Sequence, residues 1–440
     1  MNRIGLRKEE KAFEARVPLT PDQVKFLREQ SGIDFVVEPN DQRAFTEEEY
    51  AQVGATIKPL KGSGVPVIFG IKEMPIGFFE SDAVYVFFSH TIKGQAYNMP
   101  LLRNIIETGA TLIDYERVTD DKGRRLIFFG NWAGMAGISD TFRVLGKRLE
   151  FEGISPNPFR QMKSTLDLKG LDAVKAEFGR IGNQIKEQGL PKELIPFVVG
   201  FAGYGNVSRG AQEIFDILPH KIVEPADLPN LEPEQNLLYK CIFKEEHLVK
   251  PKDPNSDFNL QDYYKNGKKN YTGVFHEYVQ YMTVIMNCIY WTDKYPRLIT
   301  KDFIRKHWNE ANRKLRVIGD ISCDVGGAIE FTVKCTTPGK PAFCYIIDED
   351  RAETGVIGEG PVIMAVDNLP CELPRESSTS FGETLIRFLP DFANADFKAP
   401  SIDEVNLPRE LKDAVIVYRG KLTPSYQYLN EYLLREDKTK

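Results

Sequence analysis

Short apolar runs alternate with amphipathic stretches over roughly the first 145 residues. Residues 4–6, 34–37, 66–70, 83–88 and 111–114 are candidate strands, and residues 21–29, 47–53 and 100–108 are candidate helices between them. Strands that are apolar throughout, separated by helices, predict a parallel sheet covered on both faces and hence an α/β fold. Thr20-Pro21 predicts a helix start, with threonine as N-cap and proline at the first helical position. Residues 131–150 form a helical stretch carrying several small residues, including Gly134 and Gly137, which allow a second backbone to approach closely.

The alternation resumes after residue 194. Residues 195–201 form an apolar strand, a glycine-rich turn and a helix follow, and residues 221–223 form a second strand at the distance a βαβ unit requires. Further strands are predicted at 315–319, 342–347 and 362–366, with helical segments closing the chain. Residues 243–272 are rich in Lys, Asp, Asn and Tyr and predict a long exposed excursion.

A length of 440 residues suits two domains. A net charge of −6 and a pI near 5.7 give no electrostatic reason to expect nucleic acid or an anionic membrane as partner. No run approaches the roughly 18 apolar residues of a membrane span, and the N-terminus has no targeting pattern. A cytoplasmic location is therefore expected, or the mitochondrial matrix if a transit peptide has been removed. Cys241, Cys288, Cys323, Cys335, Cys344 and Cys371 include no C-x-x-C pair and no metal-ligand spacing. They predict reduced thiols, with a redox switch as the alternative.

Gly203-Tyr204-Gly205-Asn206-Val207-Ser208 follows a strand and opens a helix, the context a dinucleotide fingerprint needs. Gly203 permits the tight turn, Gly205 lets the backbone approach a pyrophosphate, and the N–H groups of Asn206, Val207 and Ser208 face the anion. Ser208 replaces the third glycine, and Gly210-Ala211 follow. Glu224 ends the predicted second strand, where an acidic side chain bonds the ribose hydroxyls of NAD and repels a 2′-phosphate.

Charged residues stand where apolar strands of the first half end. Lys72 follows the third predicted strand and His90 the fourth. Ligands bind outside the carboxyl ends of strands in open α/β sheets, so both are expected to face one cleft. Of the five histidines, His90, His220, His247, His276 and His307, only His90 ends a strongly apolar strand.

The segments EARVPLT (14–20), IKEMP (71–75), FFSHTIKGQ (87–95), LIDYE (112–116), FGNWAG (129–134), GYGNVSRGAQ (203–212), DISCDVGG (320–327) and DNLPCELPRES (367–377) together resemble the lysine–2-oxoglutarate reductase domain of bifunctional aminoadipic semialdehyde synthase. The wider superfamily is alanine dehydrogenase/transhydrogenase-like. The resemblance implies two Rossmann-like domains with parallel sheets. Residues 1–144 plus 375–440 would be the substrate domain, and residues 145–374 an inserted dinucleotide-binding domain. It implies reductive condensation of L-lysine with 2-oxoglutarate to saccharopine in lysine degradation, with NADP(H). That conflicts with the vote of Glu224 for NAD(H), unless Arg209 meets the 2′-phosphate.

By motif match Lys72 and His90 are the acid–base pair, and Glu73 either orients Lys72 or raises its pKa. A lysine can exchange protons near neutrality only if burial or a nearby cation lowers its pKa. Arg16, Lys93 and Arg125 match carboxylate binders, and Gln95 and Glu116 contact the amino-acid portions. Asp320, Asp367 and Asn368 either face the cofactor or cap turns. The readings left open are an NAD-dependent saccharopine dehydrogenase of lysine biosynthesis, an alanine-dehydrogenase-like amino-acid dehydrogenase, and a nucleotide sensor without chemistry. The chain ends without the second glycine-rich unit of the bifunctional proteins, so the expected functional partner is a separate glutamate-forming saccharopine dehydrogenase.

Overall fold

The computed structural model describes residues 1–309 and 313–436. The chain forms two compact units, residues 1–129 with 374–440 and residues 130–373. The expected boundary at 144/145 falls inside the helix Gly130–Phe151, which lies wholly in the second unit.

The first unit is built on an eight-stranded sheet. Its spatial order is Lys421–Leu422, Val415–Tyr418, Thr111–Asp114, Val84–Phe87, Val67–Phe69, Ile4–Leu6, Phe35–Val37 and Thr56–Ile57. The strands from Thr111–Asp114 to Thr56–Ile57 run parallel. Both faces are covered, as the continuous apolar runs require: Val84 and Val86 join one core, Tyr85 and Phe87 the other. Thr20 caps the helix Pro21–Ser31 through a reciprocal box with Gln23, and Gly32 ends it in the left-handed region at φ 65°. One departure is at the C-terminus. Val415–Tyr418, expected within a helical closing segment, is a buried strand antiparallel to Thr111–Asp114. Val-Ile-Val-Tyr is a β-branched and aromatic run, which fits a buried strand better than a helix.

The second sheet runs Arg351–Thr354, Ala342–Ile346, Val362–Met364, Val317–Asp320, Val284–Asn287, Val198–Ala202, Leu238–Phe243, His220–Val223. It is parallel except where Ala342–Ile346 and Arg351–Thr354 form an antiparallel edge. Both units are thus mostly parallel α/β sheets with antiparallel edges.

Two further expectations are corrected here. His220–Val223 does not pair with Val198–Ala202; Leu238–Phe243 lies between them and pairs with both. Burial explains the order: Leu-Tyr-Lys-Cys-Ile-Phe is almost entirely buried, whereas His-Lys-Ile-Val is half exposed and occupies the edge. The polar run 243–272 is not an open excursion. It folds into an antiparallel pair, Val249–Pro251 with Tyr271–Gly273, and a helix, Leu260–Asn266. Its tyrosines supply the core, with Tyr263 and Tyr271 buried and packed edge to face at 5.3 Å between ring centroids.

The small residues of the helix Gly130–Phe151 act as their spacing suggests. A Cβ on Gly134 would lie 1.9 Å from Val207 O and 2.6 Å from Ala211 N, and one on Gly210 would lie 2.0 Å from Asn131 O. The close crossing of the two helices therefore rests on Gly134 and Gly210. Gly134→Val is expected to destabilise the protein by about 1–3 kcal/mol or more. Gly205→Ala, which meets nothing within 4 Å, should leave the melting temperature near that of the wild type. Thermal unfolding of the two variants checks the contrast.

Candidate active site

Parallel strands end at one edge of the first sheet, and the candidate residues stand just beyond them. Lys72 and Glu73 follow Val67–Phe69, the turn 88–91 follows Val84–Phe87, and Tyr115-Glu116 follow Thr111–Asp114. Each turn is held by a buried carboxyl group. Glu9, beyond the first strand, accepts hydrogen bonds from Ile71 N (2.6 Å) and Lys72 N (3.0 Å). Asp114 accepts from Ser89 N (3.0 Å), from the Ser89 hydroxyl and from Glu116 N (2.8 Å). Ser89 Oγ lies 2.8 Å from Thr91 Oγ1.

Clamped on both sides, His90 takes a left-handed backbone at φ 51°, a conformation that costs a non-glycine residue energy and is kept only when its surroundings fix it. Asn98 Nδ2 adds a further bond, donating to His90 O at 2.9 Å. The imidazole stacks on Phe88 and pairs through Nδ1 with Glu73 Oε1. Glu73 is thus bonded to the histidine, a pairing that motif spacing did not reveal.

Electrostatics separates these groups. Burial lowers the Lys72 pKa below the ordinary lysine range, and the charges of Arg16 and Lys11 push it further down, against the pull of Glu73 and Glu14. Burial tends to raise the Glu73 carboxyl, but the hydrogen bond and charge of His90 hold it below the usual range. Burial raises Glu9 to about 7, with Glu14 adding to the rise and the two backbone N–H groups opposing it. Burial also raises Asp114 to about 6.

The remaining expected substrate contacts are divided. Arg16 is buried, grips Glu14 through Nε (2.7 Å) and Nη2 (2.5 Å), and lies 4.2 Å from the Phe129 ring centre. Arg125 and Glu116, expected as separate contacts, pair with each other. Lys93 is exposed, as is Gln95, whose Oε1 accepts from Tyr97 Oη at 2.9 Å. Glu9 and Asp114 were missed as positioning groups. Asp114 had a signal, an acid closing an apolar strand; Glu9 lies in the charged run Arg7-Lys8-Glu9-Glu10, which looks solvated.

In the second unit the glycine turn has the conformation its chemistry asks for. Gly203 sits at φ 96°, where a side chain would be strained, and the position of a Gly205 Cβ is open space. The helix Asn206–Phe215 begins there, and its first hydrogen bond runs from Arg209 N to Gly205 O. The N–H groups of Asn206, Val207 and Ser208 therefore precede the first intrahelical donor. The Ser208 hydroxyl is turned inward to Gln212 (2.9 Å), and the Arg209 guanidinium meets Asn206 Oδ1.

The pocket beside the turn, about 380 Å³, is lined by Gly203, Gly205, Phe243, Glu245, Tyr264 and Ile289 among others. Gly203 N donates to Phe243 O at 2.9 Å, so the acidic side chain brought to the turn is Glu245, held by Tyr264 Oη at 2.6 Å. Glu224 is exposed at the end of the edge strand, one strand further away. Asp320 is buried and accepts from Asn287 Nδ2 (2.8 Å), Thr332 Oγ1 (2.5 Å) and Cys323 N (3.2 Å), the bonding of a turn cap. Asp367 is exposed, and the buried Asn368 accepts Cys371 N at its carbonyl, 3.0 Å away.

Two mostly parallel sheets, the second with a glycine turn opening a helix, define a Rossmann-type two-unit α/β protein. Residues 5–136 match the alanine dehydrogenase/PNT N-terminal domain and residues 259–425 the C-terminal domain of the same family, and the chain belongs to that family. It is 38% identical to alpha-aminoadipic semialdehyde synthase of Arabidopsis thaliana over 95% of this chain and 40% of that protein. It is 33% identical to the mitochondrial alpha-aminoadipic semialdehyde synthase of Bos taurus over 99% of this chain and 48% of that one. The chain thus spans less than half the length of these relatives. Saccharopine dehydrogenase [NAD(+), L-lysine-forming] of Emericella nidulans is 28% identical, over 88% of this chain and 90% of that protein.

Among solved structures, an L-alanine dehydrogenase superposes with a TM-score of 0.61 at 18% identity, covering 98% of this chain and 99% of that one. A transhydrogenase from Sinorhizobium meliloti gives 0.56 at 14% identity, covering 96% and 100%. Both share the fold. No helix among the described residues is long and apolar enough to cross a membrane.

Glu9 supplies a pH test. A carboxyl whose folded pKa (about 7) exceeds its unfolded value near 4.5 binds its proton more tightly in the native state. Its contribution to stability is fully present below pH 4.5 and is lost as pH rises through 7. The Glu9→Gln variant should therefore gain stability relative to the wild type between pH 4.5 and 7.5, by an amount on the order of 3 kcal/mol. Urea unfolding at the two pH values measures it, and a constant difference would contradict the assignment.

Proposed function

We propose that this chain is a lysine–2-oxoglutarate reductase, condensing the ε-amine of L-lysine with the ketone of 2-oxoglutarate and reducing the imine to saccharopine with NADPH. The observation that carries this reading is the grouping of a pKa-lowered Lys72 with a His90–Glu73 pair beyond neighbouring strands. Support comes from the higher identity to the aminoadipic semialdehyde synthases, 38% and 33%, than to the L-lysine-forming saccharopine dehydrogenase, 28%. Residues 1–129 with 374–440 are assigned the substrates, and residues 130–373 the nucleotide.

The second unit fits a dinucleotide. A left-handed Gly203, an uncrowded Gly205 and the free N–H groups at the start of the helix Asn206–Phe215 suit a pyrophosphate. The bound pyridine nucleotide supplies the hydride. His90 and Lys72 exchange the protons that imine formation and water loss require. Glu73 at Nδ1 fixes the orientation of the ring and leaves Nε2 for the transfer. Lys93 and the cationic group around Arg16 attract the substrate carboxylates, with Arg125, Glu116 and Gln95 at the rim.

NADP(H) is assigned because Lys244 is exposed directly beyond the strand that pairs with Val198–Ala202, while Glu224, the residue that spoke for NAD(H), stands on the edge strand. Glu245 in the turn pocket is the observation that favours NAD(H) instead. Saccharopine implies a second enzyme, a glutamate-forming saccharopine dehydrogenase, as functional partner.

Nucleotide absorbance with every combination of lysine, 2-oxoglutarate, pyruvate, ammonia, NADPH and NADH tests the proposal. NADPH oxidation requiring both lysine and 2-oxoglutarate is expected. Preference for NADH would favour the biosynthetic dehydrogenase, and turnover of pyruvate with ammonia an alanine-dehydrogenase-like enzyme. Lys72→Met and His90→Gln should each lower kcat by about 10²-fold or more while nucleotide binding survives. Near-normal turnover in both would remove the acid–base assignment. Lys244→Glu should shift kcat/KM from NADPH toward NADH by roughly tenfold, the effect of one charged contact, whereas Glu224→Gln should change the ratio little.

A further inference from the structure

Of the six cysteines, Cys241, Cys288, Cys344 and Cys371 are buried, and Cys335 is exposed. The thiol of Cys335 lies 3.4 Å from the carbonyl oxygen of Cys323, which sets the two cysteines side by side. Cys323 is partly buried, its Sγ donating to Ala365 O at 2.8 Å, and its backbone is left-handed at φ 55°.

The segment between the two cysteines is closely braced. Asp320 holds Cys323 N and Thr332 Oγ1, Gly326 N donates to Thr332 O at 2.8 Å, and the Ser322 hydroxyl donates to Ile289 O. Ile289 also lines the pocket beside the glycine turn. Two thiols are thus held together by a fold that does not need them bonded, at the strand-end edge that carries the glycine turn.

We propose that Cys323 and Cys335 form a reversible intramolecular disulfide, with Cys335 the thiol that reacts first and Cys323 the one that resolves the adduct. The oxidant is a small-molecule disulfide such as oxidised glutathione. The Cys335 thiolate attacks one of its sulfurs, forming a mixed disulfide and expelling one glutathione thiolate. Cys323, after passing its proton to that leaving thiolate or to water, attacks the Cys335 sulfur and releases the second glutathione. The two protein thiols lose two electrons, the small disulfide gains them, and two glutathione thiols are produced.

Selectivity follows from access and acidity. The neighbouring Cys323 side chain holds the Cys335 pKa below the ordinary thiol range, against the partial desolvation of the thiol and the aspartates around it, whereas burial raises Cys241 to about 12 and also raises Cys288 and Cys344. Forming the bond draws Cys323 Sγ away from Ala365 O, so the braced segment next to Ile289 must adjust.

The test uses the whole chain and does not depend on turnover. After incubation with oxidised glutathione, intact-mass and peptide mass spectrometry are read on the wild type, Cys335→Ser and Cys323→Ser. The expected wild-type product is a Cys323–Cys335 disulfide that dithiothreitol reverses. Cys323→Ser should accumulate a stable glutathione adduct on Cys335, and Cys335→Ser should form neither product at this site. A wild-type protein that stops at the glutathione adduct, joins a different pair, or remains fully reduced while Cys323→Ser takes up glutathione would overturn the proposal. Cys323→Ala serves as a second variant if the serine disturbs folding.

Discussion

The arrangement in the first unit depends on buried carboxyl groups that hold the backbone where parallel strands end. Strands in a sheet lie about 4.8 Å apart, so residues just past successive strand ends are close in space before any side chain acts. What closeness alone does not supply is direction. Glu9 supplies it for Lys72 by taking the amides of Ile71 and Lys72, and Asp114 supplies it for His90 by taking the amide and hydroxyl of Ser89. Both acids are removed from water, and both have raised pKa values as a result. A buried carboxylate would be costly if its oxygens were idle. These are engaged with backbone donors, which is why strain at His90 can persist.

Much of the architecture was legible because it rests on local rules. Thr20-Pro21 announces a capped helix, and Gly203-Tyr204-Gly205 announces a turn that needs a positive φ at its first glycine. Gly134 and Gly210 announce a close helix crossing. What was not legible depends on competition between distant segments. Spacing suggested that His220–Val223 pairs with Val198–Ala202, but Leu238–Phe243 buries more apolar surface and takes that position. The run 243–272 looks solvated by composition, yet Tyr263 and Tyr271 find one another across a hairpin and a helix. Val415–Tyr418 finds its place only because residues 374–440 return to the first unit.

The candidate site shows the same division. Lys72 and His90 could be chosen from their positions after apolar strands. That Glu73 pairs with His90 depends on the turn 88–91, whose left-handed residue is set by contacts from Asp114 and Asn98. In the second unit, strand order decides which charges lie near the glycine turn. Once Leu238–Phe243 is the neighbour, Lys244 and Glu245 follow its end, and Glu224 is carried to the margin. Distance along the chain points to Glu224, whereas the strand order brings Glu245 to the turn.

Arg16 joins stability to chemistry. A buried guanidinium alone would be untenable, and its fork on Glu14 answers much of its charge while Phe129 covers its face. The cancellation is incomplete at Lys72, where the cation lowers the pKa more than Glu14 raises it. Burial is the larger influence on Lys72, and a lysine merely buried would also titrate lower, but it would carry no built-in attraction for an anion. With Arg16 and Lys11 beside it, desolvation and like charge act in the same direction, and the field that makes Lys72 willing to lose its proton is also one that draws a carboxylate toward it.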